Sequence, residues 1–143
     1  MRPLQILLAE DNNLDAYLVE QALEKALAQH QIPYSLKVLR NGSVALKYLR
    51  EMGQTSDKPC PDLLLLDLNL PLADGPEVLG IFRKHPACSN TPVIIVTSSE
   101  APEDIERVTA LGISRYFRKP TDLDAFMELG PIVRDVITAS APG

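Results

Sequence analysis

Short apolar runs alternate with amphipathic stretches along this chain, and this alternation restricts the fold more than any other feature. Five segments have the length and composition of β-strands: 4–9, 34–40, 63–66, 93–96 and 113–118. The run at 63–66 is four leucines without alternation, which is typical of a central parallel strand covered on both faces. A helical pattern follows each strand, so the order of elements is (βα)₅. Because strand–helix–strand units cross over right-handedly, this order predicts a doubly wound α/β fold with one parallel sheet.

Polar residues and prolines mark the ends of the helices. Asn12 or Asn13 can cap the first helix. Thr121 is expected to cap the last helix, with Asp124 in the capping-box position. Pro131 falls inside that last helix and should kink or split it, because its ring displaces a backbone hydrogen bond.

Length and composition indicate a single domain. The 143 residues suffice for one core, which we expect over about residues 4–137, with a frayed tail at 138–143. The formal charge of −5 argues against general nucleic-acid binding, which needs a basic surface. Neither a signal peptide nor an apolar run long enough for a bilayer is evident, so the sequence predicts a soluble cytoplasmic protein with no membrane contact. Cys60 and Cys88 lack metal-ligand spacing and are expected to be reduced thiols.

Polar side chains stand at the carboxyl ends of the expected strands, where ligands of such sheets bind. Strand one runs into Glu10 and Asp11, strand three into Asp67, strand four into Thr97 and strand five into Lys119. Three carboxylates in one pocket repel one another, and a hard divalent cation such as Mg²⁺ relieves that repulsion. A free oxygen of Asp67 can then attack phosphorus and form an acyl phosphate, with Lys119 bound to a phosphoryl oxygen.

Four motifs resemble the receiver domain of bacterial two-component response regulators: LLAEDN, LLLLDLNLPLADG, VIIVTSS and YFRKP. The resemblance covers residues 4 to about 137. It implies the flavodoxin-like strand order 2-1-3-4-5, which the chemotaxis receiver also has.

The resemblance assigns a role to each residue of the acidic pocket. Asp67 would be the phosphoacceptor, and the donor would be a phosphohistidine on a sensor histidine kinase. Glu10 and Asp11 would hold Mg²⁺ together with Asp67 and the backbone carbonyl of Asn69. Gly75 would lie in the loop after the acceptor.

The same resemblance implies a switch. Lys119 would bind the phosphoryl group, Thr97 would be the switch hydroxyl and Tyr116 the switch aromatic residue, and Pro120 would follow a cis peptide bond. Phosphorylation would change the surface of the fourth helix, fifth strand and last helix, and this surface would bind a partner or a second copy of the chain.

Some segments resemble a subgroup of these receivers, and one pair of residues departs from the family pattern. The longer segments KALAQHQIPYS and EMGQTSDKPCPD, together with DLNLP and the lack of a second domain, resemble small regulators paired with phytochrome-type kinases. The pair Gly130-Pro131 in the last helix is not expected of the family. Apolar residues in and before that helix exceed what one sheet face needs and favour a homodimer through the last or fourth helix; they are Phe126, Val133, Val136 and Ile137.

Two other functions and several structural roles stay open on the sequence. A Mg²⁺-dependent phosphatase with an aspartyl nucleophile would carry a second acid where this chain has Asn69. A flavodoxin-like FMN carrier would need a phosphate-binding first loop, and Glu10 and Asp11 would repel that phosphate. Those two acids also suit a helix start, Asn69 suits a turn, and Tyr116 can be an ordinary packed aromatic residue.

Overall fold

A five-stranded parallel sheet with helices on both faces forms the molecule, in a computed structural model that describes residues 2–52 and 60–140. The strand order is β2-β1-β3-β4-β5, which confirms the predicted doubly wound fold and order 2-1-3-4-5. The strands are β1 Leu4–Ala9, β2 Tyr34–Leu39, β3 Leu63–Leu66, β4 Val93–Thr97 and β5 Arg115–Arg118. The helices are α1 Asn13–Ala26, α2 Gly42–Glu51, α3 Gly75–Lys84, α4 Pro102–Leu111, α5 Leu123–Phe126 and α6 Leu129–Ser140. Short 3₁₀ turns occur at Ala28–His30 and Pro86–Cys88.

The leucine run of β3 explains why the core has two halves. Leu64 and Leu66 pack with side chains of α2, α3 and α4, whereas Leu63 and Leu65 pack with side chains of α1 and α6 on the opposite face. All four are at most 1 % exposed. Because successive side chains of a strand point to opposite faces, a strand covered on both sides must be apolar at every position.

The caps of two helices lie close to their predicted places. Asn12 caps α1 by accepting a hydrogen bond from the backbone N–H of Asp15 at 2.9 Å. The predicted cap Thr121 is wrong, because Asp122 caps α5 and accepts from the N–H of Ala125 at 2.9 Å. The two neighbouring residues are both capping types, and the chain enters the helix one residue later than the pattern indicates.

The predicted interruption near Pro131 is present, but it lies before the proline. α5 ends at Phe126 and α6 begins at Leu129. Pro131 therefore sits in the first turn of α6, where a backbone N–H has no partner within the helix. α6 continues to Ser140, so residues 138–140 of the expected frayed tail are helical, and residues 141–143 lie outside the described part.

Gly130 lets α6 lie directly against α1. A Cβ atom at this position would be 2.7 Å from the carbonyl oxygen of Ala22 and 2.8 Å from the Cβ of Ala26. This close approach buries Phe126, Val133 and Val136, and Ile137 packs against the same core. These residues therefore cover the chain's own sheet, and the surplus on which we based a dimer through the last helix is absent from the described residues.

α4 is held to the sheet by few side chains. Of its ten residues, all of which the structure describes, only Val108 is buried. Ile105 and Leu111 stay 39 % and 37 % exposed although their spacing marks them as part of an apolar face. The helix ends at Gly112, whose φ of 98° favours glycine.

The expectation of two reduced thiols is contradicted, because Cys60 and Cys88 form a disulfide with a Cα–Cα distance of 5.7 Å. Cys60 precedes β3 and Cys88 precedes β4, and these strands are parallel neighbours. The amino ends of neighbouring parallel strands meet at one edge of the sheet. The two cysteines therefore lie together although 28 residues separate them in the sequence.

The disulfide should contribute measurably to stability. For a closed loop of this length, reduction is expected to lower the free energy of unfolding by up to about 3.5 kcal/mol. Alkylation at cell lysis followed by mass spectrometry measures the bridge, and urea unfolding with and without a dithiol measures its contribution. Two alkylated cysteines at lysis would contradict the disulfide and restore the prediction from the sequence.

No helix in the described ranges combines the length and the apolar character that crossing a bilayer requires.

Candidate functional site

The carboxyl edge of the sheet gathers the polar residues that stand at the strand ends. Glu10 and Asp11 follow β1, Asp67 follows β3, Thr97 ends β4 and Lys119 follows β5. One carboxylate oxygen from each of Glu10, Asp11 and Asp67 lies within 4.8 Å of the other two. The structure therefore brings three acids into one cluster.

Lys119 is the cation of this cluster. Its Nζ donates hydrogen bonds to Asp67 Oδ2 at 2.9 Å and to Asp15 Oδ2 at 2.8 Å. Glu10 Oε1 lies 2.6 Å from the same nitrogen in an ion pair. Burial alone would lower the pKa of Lys119, but its close contacts with the carboxylates of Asp15, Glu10 and Asp67 outweigh burial and raise this pKa above its ordinary value. Lys119 therefore carries its charge at neutral pH.

Asp67 is the ionised acid of the cluster. Burial would raise its pKa, but the backbone N–H of Asn69, the Lys119 ammonium group and the Thr97 hydroxyl lower it below the ordinary value. The Asn69 N–H donates to Asp67 Oδ1 at 3.1 Å. The Asp67 side chain is 5 % exposed. A charged carboxylate is therefore available as a nucleophile.

Glu10 behaves in the opposite way. Burial, reinforced by the charge of Asp67, raises the pKa of Glu10 to about 7 although Lys119 acts to lower it. Its Oε2 accepts the backbone N–H of Asn12 at 3.2 Å. Its Oε1 is buried and has no partner in hydrogen-bonding geometry among the described residues, despite its ion-pair contact with Lys119.

The donors fit a hard divalent cation. Glu10 Oε1 lacks a hydrogen-bond partner in the described part of the chain, and a cation would satisfy it. Asp11 is exposed, so a cation can enter from solvent. Carboxylate oxygens this close together suit Mg²⁺ or Mn²⁺ and would be electrostatically unfavourable without a cation.

Thr97 and Tyr116 lie beside the acids and are linked through the loop after β4. The Thr97 side chain is buried, and its Oγ1 accepts the backbone N–H of Ser99 at 3.3 Å. The Tyr116 hydroxyl donates to the carbonyl oxygen of Ser99 at 2.8 Å. Ser99 in turn donates through its hydroxyl to Asp104 Oδ2 of α4 at 2.8 Å. A short polar path thus joins the pocket to α4.

Gly75 and Pro120, which lie near the site, both depart from the sequence predictions. Gly75 begins α3 rather than lying in the loop before it, and a Cβ there would be 2.5 Å from the Asp67 carbonyl oxygen. The expected cis bond before Pro120 is wrong, since no peptide bond in residues 2–52 and 60–140 is cis. The trans form is the lower-energy state of a bond before proline. With this form Lys119 contacts the carboxylates of Glu10, Asp15 and Asp67.

Asp15 is the site residue that sequence reasoning missed. An acid in the first turn of a helix is ordinarily explained by the helix dipole, and this explanation conceals other roles. The available signal is a further acid in the first turn of α1, only four residues after Asp11 and therefore close to the same edge of the sheet.

A family model described as the response regulator receiver domain matches residues 6–129. This chain belongs to the response regulator receiver domain family. Such receivers work with histidine kinases. The receiver described here is 36 % identical over 121 residues to the response regulator Rcp1 of Synechocystis sp. strain PCC 6803, a match that covers 85 % of this chain and 80 % of Rcp1.

Solved receiver structures superpose on nearly the whole chain. The phosphorylated cyanobacterial phytochrome response regulator RcpA matches with a TM-score of 0.84 and 30 % identity, over 99 % of this chain and 98 % of RcpA. The Mn²⁺-bound form of Rcp1 matches with a TM-score of 0.83 and 31 % identity, over 99 % and 100 % of the two chains.

Proposed function

We propose that this receiver accepts a phosphoryl group on Asp67 from a sensor histidine kinase and that phosphorylation changes the surface of α4, β5 and α6. The observation that carries the proposal is the buried, ionised Asp67 carboxylate, hydrogen-bonded to the Lys119 ammonium group at 2.9 Å beside two further acids. A nucleophilic oxygen and a cation for the transferred group thus occupy one pocket.

We further propose that the pocket holds Mg²⁺ through Glu10, Asp11, Asp67 and the backbone carbonyl of Asn69. When bound, the cation would neutralise the crowded acids and the phosphoryl oxygens. Two observations support this assignment. Glu10 Oε1 has an ion-pair contact with Lys119 but no partner in hydrogen-bonding geometry among the described residues, and Asp11 is exposed. The similar protein Rcp1 has a Mn²⁺-bound form, and a site for Mn²⁺ suits the chemically related Mg²⁺.

The side chains perform the transfer in a simple order. An oxygen of the Asp67 carboxylate attacks phosphorus in line, the bond from phosphorus to the kinase histidine nitrogen breaks, and that nitrogen keeps the electron pair. Lys119 donates to a phosphoryl oxygen of the resulting acyl phosphate. Thr97 would donate its hydroxyl to the same group, and its movement would disturb the backbone of Ser99, to which both Thr97 and Tyr116 are hydrogen-bonded.

Phosphorylation by a small donor tests this function directly. Incubation with acetyl phosphate and Mg²⁺ should add one phosphoryl group to the intact protein, and chelation of the cation should prevent it. Borohydride reduction of the acyl phosphate followed by peptide mapping should mark Asp67. An unmodified protein, or a label at another residue, would overturn the proposal.

The partner kinase is proposed to be of the phytochrome type and the receiver to act in the cytoplasm, a compartment in which a disulfide such as Cys60–Cys88 is uncommon. RcpA, which superposes over 99 % of this chain, is a cyanobacterial phytochrome response regulator. Phosphotransfer profiling against the histidine kinases of the host identifies the kinase, and fastest transfer from a kinase without a photosensory domain would refute the assignment.

Fewer exposed apolar residues are available for self-association than the sequence predicts. The last helix buries Val133 and Val136 and leaves Ile137 partly buried against the chain's own core, so a homodimer would use the side of α4, where Ile105 and Leu111 are partly exposed. Light scattering of the phosphorylated and unphosphorylated protein decides whether the change of surface recruits a second copy or another partner.

The two rival functions are not favoured. The family match supports a receiver, and Asn69 stands where an aspartyl phosphatase carries its second acid. The acids after β1 would repel the phosphate of FMN. Turnover of a phosphomonoester, or flavin absorbance in the purified protein, would revive them.

A further inference from the structure

We propose that Asp15 is a positioning residue for phosphoryl transfer, holding the Lys119 ammonium group over Asp67 before and after the phosphoryl group arrives. This inference rests on the proposed function, and it adds to the pocket a fourth acid, whose carboxylate has Lys119 as its one partner among the described residues. Asp15 Oδ2 accepts a hydrogen bond from Lys119 Nζ at 2.8 Å across 104 residues of sequence.

A role in capping does not account for the Asp15 carboxylate. In a capping box, an acid at the third helical position accepts the backbone N–H of the cap residue. Here the Asn12 N–H donates to Glu10 Oε2 instead, at 3.2 Å. Asp15 uses its own N–H for the Asn12 cap and directs its carboxylate at Lys119. The side chain therefore serves the pocket rather than the helix end.

Asp15 differs from the other two partners of Lys119 in what the reaction does to it. Asp67 becomes the acyl phosphate, and Glu10 belongs to the acids that would hold the cation. Both contacts with Lys119 Nζ therefore change when the pocket is loaded. Asp15 is outside that group of acids, so its contact can persist throughout the reaction.

A persistent partner matters because lysine is a long and flexible side chain. Four rotatable carbons carry the ammonium group, and immobilising them costs conformational entropy at each encounter with the donor. The Lys119 side chain is only 10 % exposed and Asp15 is 25 % exposed, so the contact is shielded but reachable from solvent. Removal of Asp15 would leave Lys119 to swing between Glu10 and solvent.

The test measures the rate of phosphorylation by acetyl phosphate and, separately, the chemical reactivity of Lys119. We expect Asp15→Ala to slow phosphorylation about fivefold, and Asp15→Asn, which keeps a neutral acceptor, to slow it less. An amine-selective reagent measures the reactivity of Lys119, expressed as the ratio of its labelling to that of the exposed Lys84. This ratio should rise most in Asp15→Ala and less in Asp15→Asn. Glu20→Gln removes an exposed acid from the same helix and should change neither quantity.

A double-mutant cycle separates positioning from a general effect of charge or stability. If Asp15 acts through Lys119, then Asp15→Ala has no further effect on the rate in a Lys119→Met background. An equal slowing in both backgrounds, faster phosphorylation of Asp15→Ala, or unchanged Lys119 labelling would overturn the inference. Failure of the wild-type protein to take up phosphate would instead overturn the proposed function, and the labelling ratio would still decide whether Asp15 holds Lys119.

Discussion

Asp67→Asn is expected to reduce phosphorylation by acetyl phosphate or by a phosphorylated kinase at least about a thousandfold, because the amide has no nucleophilic oxygen anion. The fold should be retained, since the substitution preserves the shape of the side chain. It also removes the Asp67 charge, which contributes to the raised pKa of Glu10, so the acid cluster becomes less crowded. Phosphate incorporation per mole of protein measures the loss, and circular dichroism verifies the fold.

A matched control comes from the loop that follows Asp67. Asp74 caps α3 by accepting the backbone N–H of Glu77 at 2.9 Å, and asparagine caps helices about as well as aspartate. The Asp74→Asn variant should therefore be phosphorylated at the wild-type rate. Phosphorylation of Asp67→Asn at the rate of this control would place the acceptor elsewhere.

Lys119→Met is expected to lower the free energy of unfolding by about 3 kcal/mol at pH 8, because it leaves buried carboxylates without their counter-ion. The side chains of Glu10 and Asp67 are 1 % and 5 % exposed, so water cannot replace the ammonium group. The loss should be specific to charge, since methionine has a similar length and is apolar.

The dependence of this loss on pH has a definite sign. Lys119 acts to lower the pKa of both Glu10 and Asp67, so its loss raises both folded-state pKa values relative to the wild type. The folded variant therefore binds more protons than the folded wild type, and its stability deficit grows as the pH rises and shrinks towards pH 4.

Urea unfolding of the wild type and Lys119→Met at pH 5 and pH 8 provides the measurement. Lys84→Met, on the exposed last turn of α3, is the control and should change stability little at either pH. An equal deficit of Lys119→Met at both values of pH would mean that lost packing, not charge, causes the destabilisation.

Local patterns in the sequence were sufficient for the fold. The four leucines of β3 are all buried between two layers of helices, as an apolar run without alternation requires. Once the order of elements is (βα)₅, a parallel sheet collects the strand ends at one edge. Glu10, Asp67 and Lys119 are therefore neighbours although they are far apart in the sequence.

Some contacts between distant segments could not be predicted, because they depend on how helices and loops pack around the sheet and not on the order of the strands. Asp15 meets Lys119 only because α1 and the turn after β5 flank the same pocket. Cys60 and Cys88 meet because two loops share the amino edge of the sheet. The burial of Val133 depends on how closely α6 approaches α1, which a pattern along one helix does not reveal.

Because few of its side chains are buried, α4 is the element that a chemical change in the pocket can displace. Elements with few buried side chains have the lowest free energy of local opening, and Val108 is the one buried residue among the ten of this helix. The Ser99 contacts with Tyr116 and Asp104 join the pocket to its first turn. α4 is therefore the element expected to move when the hydrogen bonds near Thr97 rearrange, whereas the closely packed pair α1 and α6 would resist the same perturbation.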